Sequence, residues 1–176
     1  EHGGDPMFDF IVHAHDLLER KRLDIAEWMR VVRVIFKQMV QAIDFLHSHN
    51  VVHMDLSLEN MTMVNDVKVS VQHAGTPHEN VVFSKIDDVR VKIIDFGLAE
   101  RFKPSHGQDS SKRFQSSKFC GKRIYQSPEL VQQKEFNAVC NDIWCAGVCL
   151  FMMVSGSAPW AVADESDTAY KLIMSG

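Results

Sequence analysis

The segment from Asp142 to Val154 is apolar on nearly every side, and no other part of the sequence limits the fold as strongly. A helix with apolar side chains all round is buried in the middle of its domain, so the remaining chain has to surround it. The 176 residues suffice for one domain or slightly more. A hydrophobic content of 45% and a charged content of 24% are typical of a globular protein and exclude disordered, collagen-like and disulfide-scaffold chains.

Charge, cysteine and histidine usage exclude several kinds of function. The formal net charge of −4 argues against a nucleic-acid binder, which normally carries a basic stripe. No apolar run approaches the roughly 20 residues of a membrane-spanning helix, and the first residues lack the pattern of a signal peptide. The close pairs His13/His15 and His47/His49 do not have the spacing of zinc ligands on a helix. None of the four cysteines forms a C-x-x-C pair, which suits a reducing, cytoplasmic location.

Apolar periodicity predicts two helices at the start of the chain and one at its end. The first runs from Met7 to about residue 18. Asp24 is placed to cap the second helix, with Glu27 at capping-box spacing, and Asn50 is a typical stop residue. The last helix is expected from Tyr170 to Met174. The second helix has an apolar stripe that predicts a face packed on a core: Val32, Ile35, Phe36, Met39, Val40, Ile43 and Leu46.

The middle of the chain is predicted to contain short strands followed by a loop. The strand-like pieces alternate or are rich in β-branched residues, and they lie at residues 61–63, 67–71, 81–83 and 89–94. The stretch 101–118 is polar, rich in serine and lysine, and shows no apolar period. We therefore expect a mobile surface loop there.

Two loops carry the side chains that indicate chemistry. In residues 53–60 (H-M-D-L-S-L-E-N), Asp55 is followed five positions later by Asn60. In residues 93–99 (I-I-D-F-G-L-A), Asp95 comes directly after a predicted buried strand. Two carboxylates and an amide offer the oxygen ligands that Mg²⁺ prefers, with substrate phosphates completing its coordination.

Four motifs stand in the order found in eukaryotic protein kinases, and the chain resembles that family. They are H-M-D-x-x-x-x-N at 53–60, D-F-G at 95–97, S-P-E at 127–129 and D-x-W-x-x-G at 142–147. The resemblance implies a protein-kinase-like α+β fold. This chain would be the C-terminal lobe, mainly helical with a short β-hairpin, and residues 95–129 would be the activation segment.

The resemblance assigns catalytic and metal-binding roles to both loops. Asp55 would be the catalytic base that accepts or orients the proton of the substrate hydroxyl. Asn60 and Asp95 would hold Mg²⁺ on the phosphates of ATP. Asp142 would hold the backbone of the catalytic loop from the buried helix.

The resemblance also places residues around the nucleotide and in the core. Thr62 would lie near the adenine, Asp5 would reach the ribose or a basic substrate residue, and Glu59 is counted with the nucleotide-binding residues. His53 and Phe96 would stack in the core of the lobe.

Two positions near the predicted catalytic base depart from the family pattern. Serine/threonine kinases usually carry a lysine two residues after the catalytic aspartate and a threonine after a Cys-Gly pair late in the activation segment. This chain carries Ser57 at the first place and Lys122 at the second. We hypothesise that ammonium and hydroxyl have exchanged places, so that Lys122 supplies positive charge to the transferring phosphoryl. The alternative is an unrelated surface lysine beside a damaged catalytic loop, and an ion pair between Lys122 and Asp55 would favour the exchange.

A second departure concerns the ordering of the activation segment. Many kinases place an arginine before the catalytic aspartate to bind a phosphate on that segment, and this chain has Met54 there. Lys118 occupies the usual phosphoacceptor position, and Glu100 stands where a basic residue is common. We hypothesise that a Lys118–Glu100 ion pair replaces the phosphate clamp, against the alternative of two solvated charges.

Length distinguishes this chain from a complete kinase domain. Residues 64–89 extend a connection that is a tight hairpin in the family, and a tolerated loop insertion is favoured there over a docking surface. Neither G-x-G-x-x-G nor a V-A-I-K strand occurs. We therefore expect residues 1–176 to be a partial kinase domain without the N-lobe and the last helices, binding ATP poorly and inactive alone.

Taken together, the resemblance implies a serine/threonine protein kinase that transfers the γ-phosphoryl of Mg-ATP to a protein hydroxyl. Its cofactors would be ATP and Mg²⁺ and its partners protein substrates, with no nucleic acid or membrane and an open oligomeric state. The alternative is a pseudokinase that acts as a scaffold or regulator, and a third is a truncated gene product without activity. The retained Asp55, Asn60 and Asp95 favour the enzyme, whereas the missing lysine at position 57 favours the scaffold.

Overall fold

A computed structural model of the protein describes residues 5–64, 68–76, 79–102 and 115–175. Two compact units are present, one of Glu1–Val40 with Leu58–Ile94 and the other of Gln41–Ser57 with Asp95–Gly176. The described residues form five α-helices: α1 (Met7–Glu19), α2 (Ile25–Ser48), α3 (Pro128–Val131), α4 (Ala138–Ser155) and α5 (Thr168–Ser175). They also form nine short strands: β1 (Asp5–Pro6), β2 (Val51–Val52), β3 (Met61–Val64), β4 (Lys68–Gln72), β5 (Asn80–Ser84), β6 (Arg90–Ile93), β7 (Glu100–Arg101), β8 (Gln115–Ser116) and β9 (Phe136–Asn137).

Helix α2 begins and ends as the sequence predicts. The Asp24 carboxylate accepts hydrogen bonds from the backbone N–H groups of Ala26 at 2.8 Å and Glu27 at 3.3 Å. These are donors at a helix start that would otherwise lack partners. The helix ends at Ser48, and Asn50 follows with a left-handed φ of 60°. This conformation suits asparagine just beyond a helix.

The packed faces of the first two helices follow their apolar periods. Helix α1 buries residues spaced by three or four positions: Met7, Ile11, Ala14 and Leu17. Along α2, Val32, Ile35, Met39 and Ile43 of the predicted stripe are buried. Val40, also predicted in the stripe, is exposed. It lies at the edge of the apolar face, where the helical period turns it toward solvent.

The first unit contains an antiparallel sheet of β1, β3 and β6, with β3 in the middle. The side chain of Gln38 on α2 connects that helix to the sheet. Its Nε2 donates to the carbonyl of Val89 at 2.9 Å, and its Oε1 accepts from the N–H of Val91 at 3.1 Å. One amide side chain thus satisfies both a backbone acceptor and a backbone donor at the start of β6.

The predicted insertion, residues 64–89, contains the antiparallel hairpin β4–β5 and is packed against the helices. Phe83 is buried, and its ring lies 5.7 Å from that of Phe10 on α1. Its N–H donates to Glu27 Oε1 at 3.1 Å, and its carbonyl accepts from Arg30 Nη2 at 2.7 Å. Glu27, expected to complete a capping box, thus binds the insertion. The hairpin is a packed part of the first unit, and not a loop that leaves the core untouched.

Helix α4 is the central helix of the second unit, although only part of its surface is buried. The Asn137 side chain caps it by accepting from the N–H groups of Val139 and Cys140. Gly156, with a φ of 77°, ends it. The buried face includes these residues: Asp142, Cys145, Ala146, Val148, Cys149, Met152 and Met153.

The expectation that α4 is buried on every side is wrong for the described residues. Ile143, Phe151 and Val154 are exposed on its outer face. The first two line an apolar groove of about 440 Å³, together with Trp144, Trp160 and Ile173, because the second unit covers α4 from one side only. The 18 residues of α4 have a mean hydropathy of 1.6, enough by length and composition alone to cross a membrane. Half of the helix is buried within the protein, as in the core helix of a globular domain.

Two small strand pairs correct the expectation of a loop over residues 101–118. Arg101 in β7 pairs with Val51 of β2, and Ser116 in β8 pairs with Phe136 of β9. The start of the predicted loop and residues 115–116 near its end are therefore in strands, and residues 103–114 lie outside the described residues. The described chain thus has more strand pairing than the single hairpin that was predicted.

Candidate active site

The backbone of the loop at residues 53–57 is held by one buried carboxylate on α4. Asp142 is fully buried, and its two oxygens accept from the N–H groups of His53 at 2.9 Å and Met54 at 3.0 Å. Its Oδ2 also lies 2.9 Å from Nε2 of His47 at the end of α2. The anchoring contact predicted for Asp142 is therefore present. Three partners compensate for the burial of its charge.

The same loop adopts an unusual backbone conformation next to Asp55. Met54 has a left-handed φ of 69°, which is strained for a residue with a bulky side chain. The N–H of Asp55 donates to Nδ1 of the buried His53 at 3.3 Å. The Asp55 side chain is 16% exposed, so its carboxylate is reachable from solvent while its backbone is fixed. Strain of this kind persists where surrounding contacts enforce it.

The second predicted loop presents Asp95 on the surface of the second unit. Asp95 has a left-handed φ of 61°, and its Oδ1 accepts from the N–H of Gly97 at 3.2 Å. A Cβ on Gly97 would approach that oxygen to 3.1 Å, so glycine permits the tight turn. Phe96 contacts His53 with ring centroids 5.0 Å apart, as predicted, but it is about half exposed and does not lie in the core.

The residues predicted to face the nucleotide lie in the first unit, apart from Asp95. Asn60 is buried at the end of a 3₁₀ turn, and its carbonyl accepts from Ile94 at 2.9 Å. Thr62 is buried in β3, and Glu59 is exposed. The backbone of Asp5 in β1 pairs with Met63 of β3. The side chain of Asp5 lies outside the described part of the chain. Asp55, Ser57 and Lys122 all belong to the second unit.

Lys122 reaches the loop that contains Asp55, as the exchange hypothesis requires. Its Nζ donates a hydrogen bond of 2.7 Å to Ser57 Oγ. The same nitrogen lies 3.8 Å from Asp55 Oδ2, within ion-pair distance. Ser57 is fully buried, whereas the Lys122 side chain is 39% exposed. The predicted contact between the ammonium group and Asp55 is therefore confirmed, and the catalytic role of Lys122 stays a prediction.

The neighbours of Lys122 in sequence fix the position from which it projects. Gly121 has a φ of 84°, and a Cβ there would lie 3.2 Å from the carbonyl oxygen of Met54. Only glycine combines that backbone conformation with so close an approach. The Gln126 side chain donates to the carbonyls of Cys120 and Gly121, both at 3.2 Å. The turn thus contacts both the loop at residues 53–57 and the residues that follow the turn itself.

The second hypothesised ion pair is also present. Lys118 Nζ lies 3.5 Å from Glu100 Oε1, and it donates to the carbonyl of Leu98 at 3.2 Å. Both side chains are partly open to solvent, with 43% of Lys118 and 29% of Glu100 exposed. Exposed pairs of this type contribute about 0–1 kcal/mol. The contact is as predicted, and its role in place of a phosphate clamp stays a prediction.

Comparison with known proteins decides the family. A family model for the protein kinase domain matches residues 7–175. The chain belongs to the protein kinase family. Its match covers both described units and includes the loops at residues 53–60 and 93–99.

Relatives of this kinase-family chain are named serine/threonine kinases. It is 34% identical over 166 residues to the SNF-related serine/threonine-protein kinase of Homo sapiens. That alignment covers 94% of this chain and 17% of the relative. It is 30% identical over 161 residues to the probable serine/threonine-protein kinase MARK-B of Dictyostelium discoideum, covering 92% and 17%. It is 31% identical over 144 residues to serine/threonine-protein kinase 33 of Mus musculus, covering 82% and 25%. The chain thus spans 17% to 25% of the length of these relatives.

The protein kinase family uses ATP and Mg²⁺, and each unit of this chain contains an oxygen donor of the type that Mg²⁺ prefers. Asp95 offers an exposed carboxylate, and Asn60 offers an amide. Within the described residues, no group of three or more His, Cys, Asp or Glu side chains is placed to bind a metal ion. Each of these side chains is an oxygen donor of the kind that a hard cation accepts.

Three residues that contact the site in this kinase chain were not assigned a role from the sequence. Gln126 and His47 were missed because a glutamine in a loop and a histidine at a helix end carry no motif of their own. Cys120 lies close to the loop, with its Sγ 3.6 Å from the carbonyl of Met54. Burial raises the pKa of the Cys120 thiol, since desolvation disfavours the thiolate. Cys120 is therefore suited to packing and not to nucleophilic attack at neutral pH.

Proposed function

We propose that this chain contributes the catalytic loop and activation segment of a serine/threonine protein kinase. The observation that carries the proposal is the presentation of Asp55. Its carboxylate is reachable from solvent on a strained loop, and two backbone N–H groups of that loop are held by the buried Asp142. A fixed carboxylate beside open space is what a residue that receives a proton from a substrate hydroxyl requires.

The reaction would form one oxygen–phosphorus bond and break another. The oxygen of a serine or threonine hydroxyl bonds to the γ-phosphorus of ATP, and the bond from that phosphorus to the bridging oxygen breaks with its electron pair remaining on ADP. Asp55 takes the hydroxyl proton and releases it to water. Asn60 and Asp95 are the residues that would hold Mg²⁺, and the ion would supply positive charge to the phosphates. Thr62, Glu59 and Asp5 would lie on the nucleotide side.

Family membership supports a further assignment of this chain within the kinase domain. We infer that residues 1–176 correspond to the C-terminal lobe, with residues 95–129 as the activation segment and residues 64–89 as an insertion. Protein substrates and ATP would be its partners, in a cytoplasmic setting. The 176-residue chain assayed alone is expected to bind ATP poorly and to transfer no phosphate.

The test is phosphotransfer by the full-length gene product that contains this chain, with Mg-ATP and a library of serine- and threonine-containing peptides. Asp55→Asn should lower kcat by at least about a hundredfold, because the variant loses the proton acceptor and keeps the shape. Asp44→Asn, on the exposed side of α2, is the matched control and should keep full activity. Equal rates in wild type and Asp55→Asn would overturn the proposed function.

A pseudokinase scaffold is the second candidate, and one observation favours it. Position 57 carries a fully buried serine where kinases usually carry a lysine. A scaffold would bind partners whether or not Asp55 is intact, and it would show no transfer of radiolabelled phosphate with any peptide. Phosphotransfer that is lost in Asp55→Asn and retained in Asp44→Asn would exclude this candidate.

A further inference from the structure

The ammonium group of Lys122 lies beside Asp55 although Lys122 is far from the catalytic loop in sequence. Nζ is 2.7 Å from Ser57 Oγ and 3.8 Å from Asp55 Oδ2. We propose that Lys122 is a catalytic residue that supplies the positive charge facing the transferring phosphoryl group, and that Ser57 is its positioning residue. The inference rests on the proposed function and deepens it.

The contact with Ser57 fixes the ammonium group at one place. Ser57 is fully buried, and a buried hydroxyl costs free energy unless it has a hydrogen-bond partner. An ammonium donor at 2.7 Å makes a short, charge-assisted bond. Holding a surface lysine against a buried hydroxyl costs side-chain entropy. The hydrogen bond to Ser57 has to offset that cost, which a lysine extended into solvent would not pay.

The backbone on both sides of Lys122 is also fixed. Gly121 allows the chain to pass close to the carbonyl oxygen of Met54, and Gln126 binds the carbonyl of Gly121. The carbonyl of Lys122 accepts from the N–H of Tyr125 at 2.9 Å, and Tyr125 is buried. A charge that is already in position before reaction stabilises a developing charge without further reorganisation.

Charge and exposure suit Lys122 to an anionic ligand. A carboxylate alone at this point repels the phosphates of ATP, and the ammonium 3.8 Å from Asp55 Oδ2 offsets that repulsion. An ammonium group has three hydrogens, and Ser57 accepts one of them. Because the Lys122 side chain is 39% exposed, its remaining hydrogens can donate to an anion on the open side.

A purely structural role for Lys122 makes different predictions. If the lysine served only to satisfy Ser57, its loss would change stability and leave the ratio of ATP to ADP affinity unchanged. A catalytic role requires that Lys122 distinguish ATP from ADP, because the charge it faces is on the γ-phosphate. Nucleotide affinity therefore separates the two roles independently of activity.

The experiment uses three variants of the full-length gene product, each checked for native folding by thermal unfolding. Lys122→Met should lower kcat by at least about a hundredfold, the usual cost of removing a transition-state donor. It should also reduce the ratio of ATP to ADP affinity, measured by calorimetry with Mg²⁺, by about tenfold. The double exchange Ser57→Lys with Lys122→Ser should recover most of both losses. Lys134→Met, an exposed lysine on another turn, is the matched control and should behave like wild type.

The outcomes separate this inference from the proposed function. Lys122→Met with wild-type kcat and an unchanged ATP-to-ADP ratio overturns the role of Lys122, while loss of activity in Asp55→Asn still upholds the kinase. An inactive wild type that nonetheless binds ATP more tightly than ADP only when Lys122 is present overturns the proposed function and supports the contact. A double exchange as inactive as Lys122→Met shows that position 57 and position 122 are not interchangeable, which contradicts the inference.

Discussion

Asp142 and Lys122 both contact the loop at residues 53–57, and they do so in opposite ways. Asp142 is fully buried and receives hydrogen bonds from two backbone N–H groups, with His47 as a third partner. Lys122 is partly exposed and contacts two side chains of the loop, Ser57 and Asp55. The first residue therefore determines the backbone shape of the loop, whereas the second adds charge to a shape that already exists.

The difference explains why one contact matches the family pattern and the other departs from it. A carboxylate that accepts from backbone N–H groups cannot be moved without rebuilding the loop, because its partners are fixed by the chain path. A cation that contacts only side chains is less constrained, because any residue whose ammonium group reaches the same place can make the contact. The exchange hypothesis therefore requires only that positions 57 and 122 lie close together, as the contact between Lys122 and Ser57 shows.

The largest effect is expected when Asp142 is changed. In Asp142→Asn an amide N–H replaces one oxygen and faces the N–H groups of His53 or Met54 instead of accepting from them. We expect the free energy of unfolding to fall by about 2–4 kcal/mol, since buried donors lose a charged acceptor. Urea unfolding followed by far-UV circular dichroism measures it.

The control for this change is Asp44→Asn, which replaces an exposed carboxylate on α2. Its unfolding free energy should stay within about 0.5 kcal/mol of wild type. If Asp142→Asn were as stable as this control, the contrast between a shape-determining and a charge-supplying contact would be lost.

A smaller effect is expected at Gly121, which connects the two kinds of contact. Gly121→Ala places a Cβ 3.2 Å from the carbonyl oxygen of Met54 at a φ of 84°. The left-handed conformation alone costs about 1–2 kcal/mol for alanine. We expect that loss of stability in a thermal melt, together with a lower kcat because Lys122 is displaced. Gly75→Ala, also left-handed but with open space around it, isolates the conformational cost; equal kcat in both variants would contradict the expected displacement.

Local patterns in the sequence predicted helices α1, α2, α4 and α5 and four of the nine described strands, β3 to β6. The Asp24 cap, the Asn50 stop and the apolar period of α2 act through neighbours within a few residues, so they can be read from the sequence itself. The outer face of α4 could not, because its apolar residues look the same whether or not another element covers them. Exposure of Phe96 and Ile143 depends on tertiary packing alone.

The site was predicted from the kinase motifs and from the two positions, 57 and 122, that depart from the family pattern. Asp55 and Asp142 follow from motif spacing, and the Lys122 contact follows from two departures that compensate each other. The docking of the insertion through Glu27 could not be predicted, since a glutamate three residues after a cap residue normally turns back to the helix start. Its backbone partner, the N–H of Phe83, is 56 positions away.

Glu27 tests whether a carboxylate that accepts from a backbone N–H group stabilises the fold even when, unlike Asp142, it is not fully buried. Its hydrogen bond with Arg30 lowers the pKa of the Glu27 carboxyl below the ordinary value of 4.5. A lowered pKa means that the stabilisation is complete above that ordinary value and is lost as the pH falls through the lowered one. Glu27→Gln should cost about 1 kcal/mol at pH 7.

The pH dependence of the difference is the sharper measurement. Wild type and Glu27→Gln should converge in unfolding free energy as the pH is lowered from 7 to about 3, because protonation removes the charge that only wild type carries. Glu19→Gln, an exposed glutamate at the end of α1, is the control and should track wild type. A gap that stayed constant with pH would show that Glu27 acts through its shape and not its charge.

The smallest effect is expected for the Lys118–Glu100 pair, the exposed counterpart of the Lys122–Asp55 pair. Lys118→Ala and Glu100→Ala should each lower stability by no more than about 1 kcal/mol, because solvent screens the attraction. If the pair replaces a phosphate clamp, wild-type activity should survive phosphatase treatment, with mass spectrometry showing that no phosphate remains. The two alanine variants should then have a kcat several-fold below that of wild type, and phosphatase treatment should not alter that kcat. Loss of wild-type activity on dephosphorylation would mean that a phosphate orders the segment after all, leaving Lys122 as the one exchanged charge with a function.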